Sequence, residues 1–251
     1  DFDAPSRHRV LVDLGRHLRA TGYAFQAPTP KTHALVNARP ENSLAKSLID
    51  IFGWCRPFST AMVSADILNQ FETAGVIETG GGFARSLVRY STLDDLLFVH
   101  SAYPTTDSDA VFFGPDTYRF ARLLHQKLGE AELPNTIIDI GCGSGAGGIF
   151  AGSRSSGGVA VVLGDVNERA LSLARVNAEL NDIEQAQVVH SDVLADIDGR
   201  ADLIIANPPY LSDPAHRLYR HGGERGFELS QRIVEELSLI HISEPTRLRR
   251  I

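Results

Sequence analysis

The sequence predicts an α/β fold, a parallel sheet flanked by helices, behind a small and mainly helical N-terminal domain. Three observations predict it. From about residue 106 onward, short apolar runs alternate with helical stretches, the pattern of strands joined by crossover helices. A glycine-rich turn at 141–145 directly follows the first of those runs. Residues 1–105 instead carry apolar positions at helical spacing and one hairpin signal, Gly80-Gly81-Gly82.

Over 7–20, Val10, Leu11, Leu14 and Leu18 share one helical face, and Thr21-Gly22 stops the run. Asn42-Ser43 can cap a second helix carrying Leu44, Leu48, Ile51 and Phe52, closed by Gly53. A third follows Ser59-Thr60 through Met62, Ile67, Leu68 and Phe71. Val76-Ile77 and Leu87-Val88 flank the glycine turn as a hairpin, so helices and hairpin together suggest a winged-helix-like module.

In the second part the strands are predicted at 136–140, 159–163, 187–190 and 203–206. A helix through Ala170, Leu171, Ala174 and Leu180 follows the second strand. Another begins at 227–236, with Leu229 and Ile233 facing inward. The domains are set at 1–105, for accessory or substrate-recognition work, and 106–236, for ligand binding and chemistry.

Composition bounds the function. The chain has 251 residues, 43% hydrophobic and 22% charged, which suits a globular protein with a true core. Apolar runs are short and interrupted, so neither a membrane span nor a signal peptide is expected. Cys55 and Cys142 are the only cysteines, which argues against a disulfide framework and for a reducing, cytoplasmic setting. No metal site is expected. Residues 1–105 carry 10 basic and 10 acidic residues, whereas 106–236 carry 11 and 20. So acidic a second half is not built for sequence-independent phosphate binding. Arg7, Arg9, Arg16 and Arg19, with His8 and His17, form either a nucleic-acid-binding helix face or an ordinary solvated one. Arg85 and Arg89 on the expected hairpin raise the same alternatives.

The chemistry-bearing residues lie after the strands. Asp139-Ile-Gly141-Cys142-Gly143-Ser-Gly145 places glycines where a strand turns into a helix, so that backbone can approach a ligand closely. The loop alone fits a nicotinamide dinucleotide as well as other adenosine-type cofactors. Asp165 ends the second strand and can accept hydrogen bonds from ribose hydroxyls. Asp192 follows the third strand and either accepts from an adenine amino group or caps a helix. Val166 and Val193 stand beside these acids. Asn207-Pro208-Pro209-Tyr210 follows the fourth strand, at the sheet edge where open α/β folds bind ligands. The Asn207 side-chain oxygen and the Pro208 carbonyl offer two acceptors for the hydrogens of a planar nitrogen. The prolines stiffen the segment, and Tyr210 presents a flat face.

These four elements, in this order over 137–210, resemble the cofactor half of Rossmann-like S-adenosylmethionine-dependent N-methyltransferases. The resemblance implies S-adenosylmethionine as cofactor, bordered by Asp139, Gly141, Cys142, Gly143 and Gly145 at its methionine part. It implies Asp165 and Val166 at the ribose, Asp192 and Val193 at the adenine, and Asn207, Pro208, Pro209 and Tyr210 as the catalytic segment, with Asn207 also bordering the cofactor. His221-Gly-Gly-Glu-Arg-Gly-Phe227 resembles the stretch that follows this motif in glutamine methyltransferases acting on release factors, which implies a protein partner. Methyltransferases acting on exocyclic amino groups of RNA or DNA bases share the tetrapeptide and remain the alternative. A nicotinamide-dependent oxidoreductase and a non-catalytic binding module are the rival classes. Val111-Phe-Phe-Gly-Pro-Asp-Thr117 departs from the Pro-Arg-Pro-Glu-Thr type of segment in the glutamine group.

The ends read as foreign. The chain opens at Asp1, and 237–247 reads as the translation of a common sequencing-library adapter. Residues 237–251 are therefore set aside as a non-native tail. The resemblance implies a sheet cut short after its fourth strand, which leaves a raw edge and an expectation of aggregation.

Overall fold

The structure is a computed structural model that describes residues 5–130, 132–155 and 158–243. The tail beyond 243 thus lies outside the described residues. Helix α1 (Pro5–Ala20) buries Val10, Leu11, Leu14 and Leu18, the stripe expected from their spacing. Gly22 ends it at φ +74°, with Tyr23 N–H bonded to the Leu18 carbonyl and Gly22 N–H to that of Arg19. This pair of bonds is a Schellman stop, which calls for glycine at the left-handed position.

Helix α2 (Pro30–Asn37) has His33 as its only buried residue, so it carries no apolar stripe to betray it. Helix α3 (Leu48–Phe52) starts later than expected. Asn42 does not cap it but closes a 3-10 turn and donates to the Val36 carbonyl; the Ser47 hydroxyl is the cap. Strand β1 (Phe58–Ser59) leads through a second 3-10 turn to α4 (Ala65–Thr73), which is capped by Ser64 rather than Ser59-Thr60. Strands β2 (Ile77–Gly80) and β3 (Phe83–Ser86) turn at Gly81-Gly82, both at positive φ, as a two-residue hairpin requires. The sheet order β1–β3–β2 completes the winged-helix-like arrangement. The return strand is Phe83–Ser86, not Leu87-Val88.

Val88 instead opens a second hairpin, β4 (Val88–Leu93) and β5 (Leu96–Ser101). Nearly every residue in it is buried, so the alternation that marks a half-exposed strand is absent. After α5 (Pro115–Glu130) come β6 (Thr136–Ile140), α6 (Ala146–Ser153), β7 (Ala160–Asp165), α7 (Glu168–Leu180), β8 (Ala186–His190), β9 (Leu203–Ala206) and α8 (Glu228–Ser243). The four strands are parallel, in the order β8–β7–β6–β9. The chain leaves β6 in one direction and returns on its other side, so β6 and β9 flank the switch point where such sheets open a crevice.

One core cluster runs from Leu11, Tyr90 and Val99 to Ile137, Leu163 and Leu180, across the boundary near residue 105. A smaller cluster of Ile138, Ile140, Val193 and Ile233 lies under α8. That helix continues from Glu236 to Ser243, and Leu237, the first residue set aside above, packs against the smaller cluster. No helix among the described residues is long and apolar enough to cross a membrane.

Candidate active site

Strand β6 ends in the glycine loop. Gly141 and Gly143 stand at φ +66° and +55°, and a Cβ built on either meets nothing within 4 Å. They leave an open wall where any side chain would intrude. Gly145 behaves differently. At φ +77° it caps α6, and a Cβ there would lie 2.9 Å from Ile149 and 3.2 Å from Leu163. It faces the core and does not line the cleft, which corrects the expectation that it borders the ligand.

The two acids beside the loop are held by backbone. Asp139 is buried and accepts from Gly148 N–H at 2.7 Å. Burial pushes its carboxyl up to about 7, against the pull of that hydrogen bond, and the nearby Asp165 charge adds to the rise. A Cβ on Gly147 would come 3.0 Å from the Asp139 carboxylate, so small residues at the start of α6 make room for it. Asp165 accepts from Gly143 N–H at 2.8 Å and from Asn167 N–H at 2.9 Å. Burial raises its pKa too, although those backbone donors oppose the shift.

Asp192 is exposed and pairs with Arg232 of α8, which also reaches Glu236 at 3.1 Å. It starts no helix: residues 191–197 form turns tied by Ser191, whose hydroxyl accepts from Asp196 N–H. The capping alternative for Asp192 is therefore not met.

The loop and the segment after β9 share one cleft of about 240 Å³. Asp139, Gly141, Cys142 and Gly143 line one side, with Asp165, Val166, Asp192 and Val193 along the strand ends. Asn207, Pro208, Pro209 and Tyr210 line the other. Neither the Asn207 side chain nor the Pro208 carbonyl has a hydrogen-bond partner among the described residues. Both acceptors remain available at the cavity.

Residues beyond those expected complete it. Tyr210 donates its hydroxyl to Asp116 at 2.8 Å, and Asp116, Thr117 and Phe120 of α5 line the cleft. Phe112 stacks on Tyr219 at 5.4 Å with rings 8° apart. Arg169 pins the preceding segment through Asp107 at 3.0 Å and Asp109 at 3.1 Å. Val111–Thr117, the stretch that departed from the glutamine pattern, was the one sequence signal pointing here. Behind the tetrapeptide, a Cβ on Gly222 would lie 2.3 Å from both the Pro209 and Gly226 carbonyl oxygens. The Gly-Gly-x-x-Gly stretch is thus packed against the tetrapeptide backbone and braces it.

Four of the six basic residues of α1 are engaged elsewhere, while Arg9 stays exposed beside Asp13. Arg7 donates to the Ala74 and Gly75 carbonyls, Arg16 and His8 meet Glu179, and Arg19 reaches Leu180 and Asn181. Arg85 donates to the Tyr103 carbonyl and Arg89 to His33.

Residues 106–221, which contain the loop, both acids and the tetrapeptide, match the family model of the methyltransferase small domain. A ribosomal protein L11 methyltransferase of Caldanaerobacter subterraneus subsp. tengcongensis is 35% identical over 130 residues, 49% of this chain and 40% of the relative. A release factor glutamine methyltransferase of Deinococcus radiodurans is 33% identical over 144 residues, 53% of this chain and 50% of the relative. A crystal structure of a ribosomal protein L11 methylase from Lactobacillus delbrueckii subsp. bulgaricus aligns with 26% identity and a TM-score of 0.39, over 51% of this chain and 55% of that one. The chain spans half or less of the length of these two curated relatives. The family-model match begins just past β5 and ends at His221, one residue before Gly222.

Proposed function

We propose that the protein is an S-adenosylmethionine-dependent N-methyltransferase whose acceptor is a planar nitrogen, the side-chain amide of a glutamine in a protein such as a release factor. One observation carries this reading: the unengaged Asn207 oxygen and Pro208 carbonyl border the same small cavity as the open wall at Gly141 and Gly143.

The residues fit the cofactor. The missing side chains at Gly141 and Gly143 leave a cradle for a close-lying ligand, and each Asp165 oxygen retains a lone pair beside its backbone bond. Asp165 would hold the ribose and the loop the methionine part. When bound, the cofactor supplies an electrophilic methyl group on a sulfonium. An amide nitrogen is a poor nucleophile because its lone pair is delocalised into the carbonyl. Asn207 and Pro208 would accept both N–H hydrogens, aim the lone pair and stabilise positive charge growing on nitrogen. The methyl group would pass from sulfur to nitrogen with the neutral thioether as leaving group, and the two acceptors would hold the nitrogen while one of its protons departs to solvent. Tyr210 packs its ring on the planar acceptor.

Three features favour a protein substrate. Gly222 and Gly226, which brace the tetrapeptide, lie in the stretch that resembles the glutamine group. Arg7, Arg16 and Arg19 of α1 are used within the chain. No Lys or Arg lies between Arg56 and Arg85, so the winged-helix-like face over α4 carries Asp66, Glu72 and Glu78 without basic residues. Methylation of a base amino group is the second reading, favoured by the exposed Tyr210 face near the Phe112–Tyr219 stack.

The test offers labelled cofactor with release factors, ribosomal proteins, ribosomal RNA and DNA side by side. Label on a glutamine side chain supports the proposal. Label only on nucleic acid replaces it with the second reading, and no transfer by cofactor-bound protein overturns both.

A further inference from the structure

The glycine loop is tied to the N-terminal unit by one buried amide. The β4–β5 hairpin uses one edge of β5 for β4; its outer edge exposes the backbone groups of Leu97, Val99 and Ser101. No third strand among the described residues covers that edge. Asn177 and Asn181, one turn apart on α7, cover it instead. Asn181 accepts from Leu97 N–H at 3.0 Å and donates to the Leu97 carbonyl at 2.9 Å. Asn177 accepts from Val99 N–H at 2.7 Å and donates to the Val99 carbonyl at 2.9 Å.

The two amides then differ. The second amide hydrogen of Asn177 goes to the carbonyl of Ser144 at 2.8 Å, inside the glycine loop, whereas that of Asn181 goes to Asn177's own carbonyl at 2.9 Å. Asn177 is fully buried, and its oxygen and both its hydrogens are used. Two residues along the same edge, Ser101 N–H donates to the Val111 carbonyl and the Ser101 hydroxyl accepts from Val111 N–H. Ser144 and Val111 both line the cleft. One strand edge of the N-terminal unit therefore holds two walls of the cavity.

We propose that Asn177 is a positioning residue for the cofactor loop, through which β5 keeps the loop in register with the N-terminal unit. This rests on the reading of the cleft as a cofactor site. Asn181 is the matched control, because Asn177→Ala and Asn181→Ala each strip one β5 residue of its backbone partner, while only the first also releases Ser144.

The experiment measures S-adenosylhomocysteine binding by calorimetry, and melting temperature, on the full chain and both variants. Both variants should melt lower than the wild type, while Asn177→Ala should bind about tenfold more weakly than Asn181→Ala, the effect of one buried hydrogen bond. Equal affinities in the two variants would overturn the inference. If either variant fails to fold, amide exchange on the wild type decides. Saturating ligand should slow exchange at Val99 more than at Leu97, and unequal slowing absent, the inference fails. Wild-type protein that binds no ligand would overturn the cofactor reading and this inference with it, a result distinct from binding that ignores Asn177.

Discussion

The hydroxyl of Tyr210 donates to the carboxylate of Asp116 at 2.8 Å, joining residues 94 positions apart. The bond closes one side of the cleft, because it ties the segment after β9 to the first turn of α5. It also raises the Tyr210 pKa, since the adjacent carboxylate disfavours a phenolate. Tyr210→Phe keeps the ring and loses the tie. It should lower kcat/KM by about 3- to 10-fold, the worth of one partly exposed hydrogen bond. Tyr210→Ala, which also loses the flat face, should cost more in steady-state assays; equal losses would deny the ring a role.

Much of this arrangement was legible in the sequence, and the reasons differ by element. Strands β6 and β9 begin and end where their apolar runs do, because each is bounded by polar or turn residues. The loop, Asp165 and Asp192 were readable because each ends or follows a strand at the ligand-binding edge. Helix α5 carried a legible stripe, Ala121, Leu124 and Leu128, that the reading did not use. Helix α2 and the β4–β5 hairpin were not legible: the first has almost no buried face and the second is buried on both. The partnership of Tyr210 with Asp116 exists only through the fold. So does the fate of Arg7, Arg16 and Arg19, whose spacing suggests a surface stripe but whose partners come from α7 and the turn after α4.

Asn207→Ala removes one of the two acceptors at the cavity. Turnover should fall by at least ~100-fold, as loss of an aligned polar group in a reacting site commonly does, with cofactor affinity within about twofold. Labelled methyl transfer and calorimetry read the two quantities separately. Unchanged turnover would remove the acceptor role.

Gly222→Ala places a methyl group 2.3 Å from two backbone oxygens, of Pro209 and Gly226, neither of which can swing away. The tetrapeptide must shift. Melting should drop by roughly 3–10 °C, equivalent to about 1–3 kcal/mol of strain in a chain of this size. Activity should fall further than stability explains. Gly80→Ala, whose added Cβ meets nothing within 4 Å, is the control and should leave both unchanged.

Asp139 gives a pH signature. Its carboxyl is raised from 3.8 to about 7 in the folded protein by burial. A raised acid contributes stability below its unfolded pKa and loses that contribution as pH climbs through the folded one. The unfavourable term thus grows from about pH 4 to about pH 7 and is constant above. Asp139→Asn, neutral throughout, should gain in melting temperature relative to wild type from pH 5 to pH 8. Melting curves at both values check this, and a pH-independent difference would contradict it.

On the proposed reading, an adenosine-type sulfonium cofactor lies in this cavity between the glycine loop and Asp165, next to the Asn207 and Pro208 acceptors. Calorimetric titration of the folded full chain with S-adenosylhomocysteine, beside Asp165→Ala and Asn207→Ala, tests it most directly. One site is expected in the wild type, with affinity at least ~10-fold weaker in Asp165→Ala, as when hydrogen bonds to a charged group are lost, and near-wild-type affinity in Asn207→Ala. A folded wild-type protein that binds no ligand, or binds equally well without the Asp165 carboxylate, would contradict it.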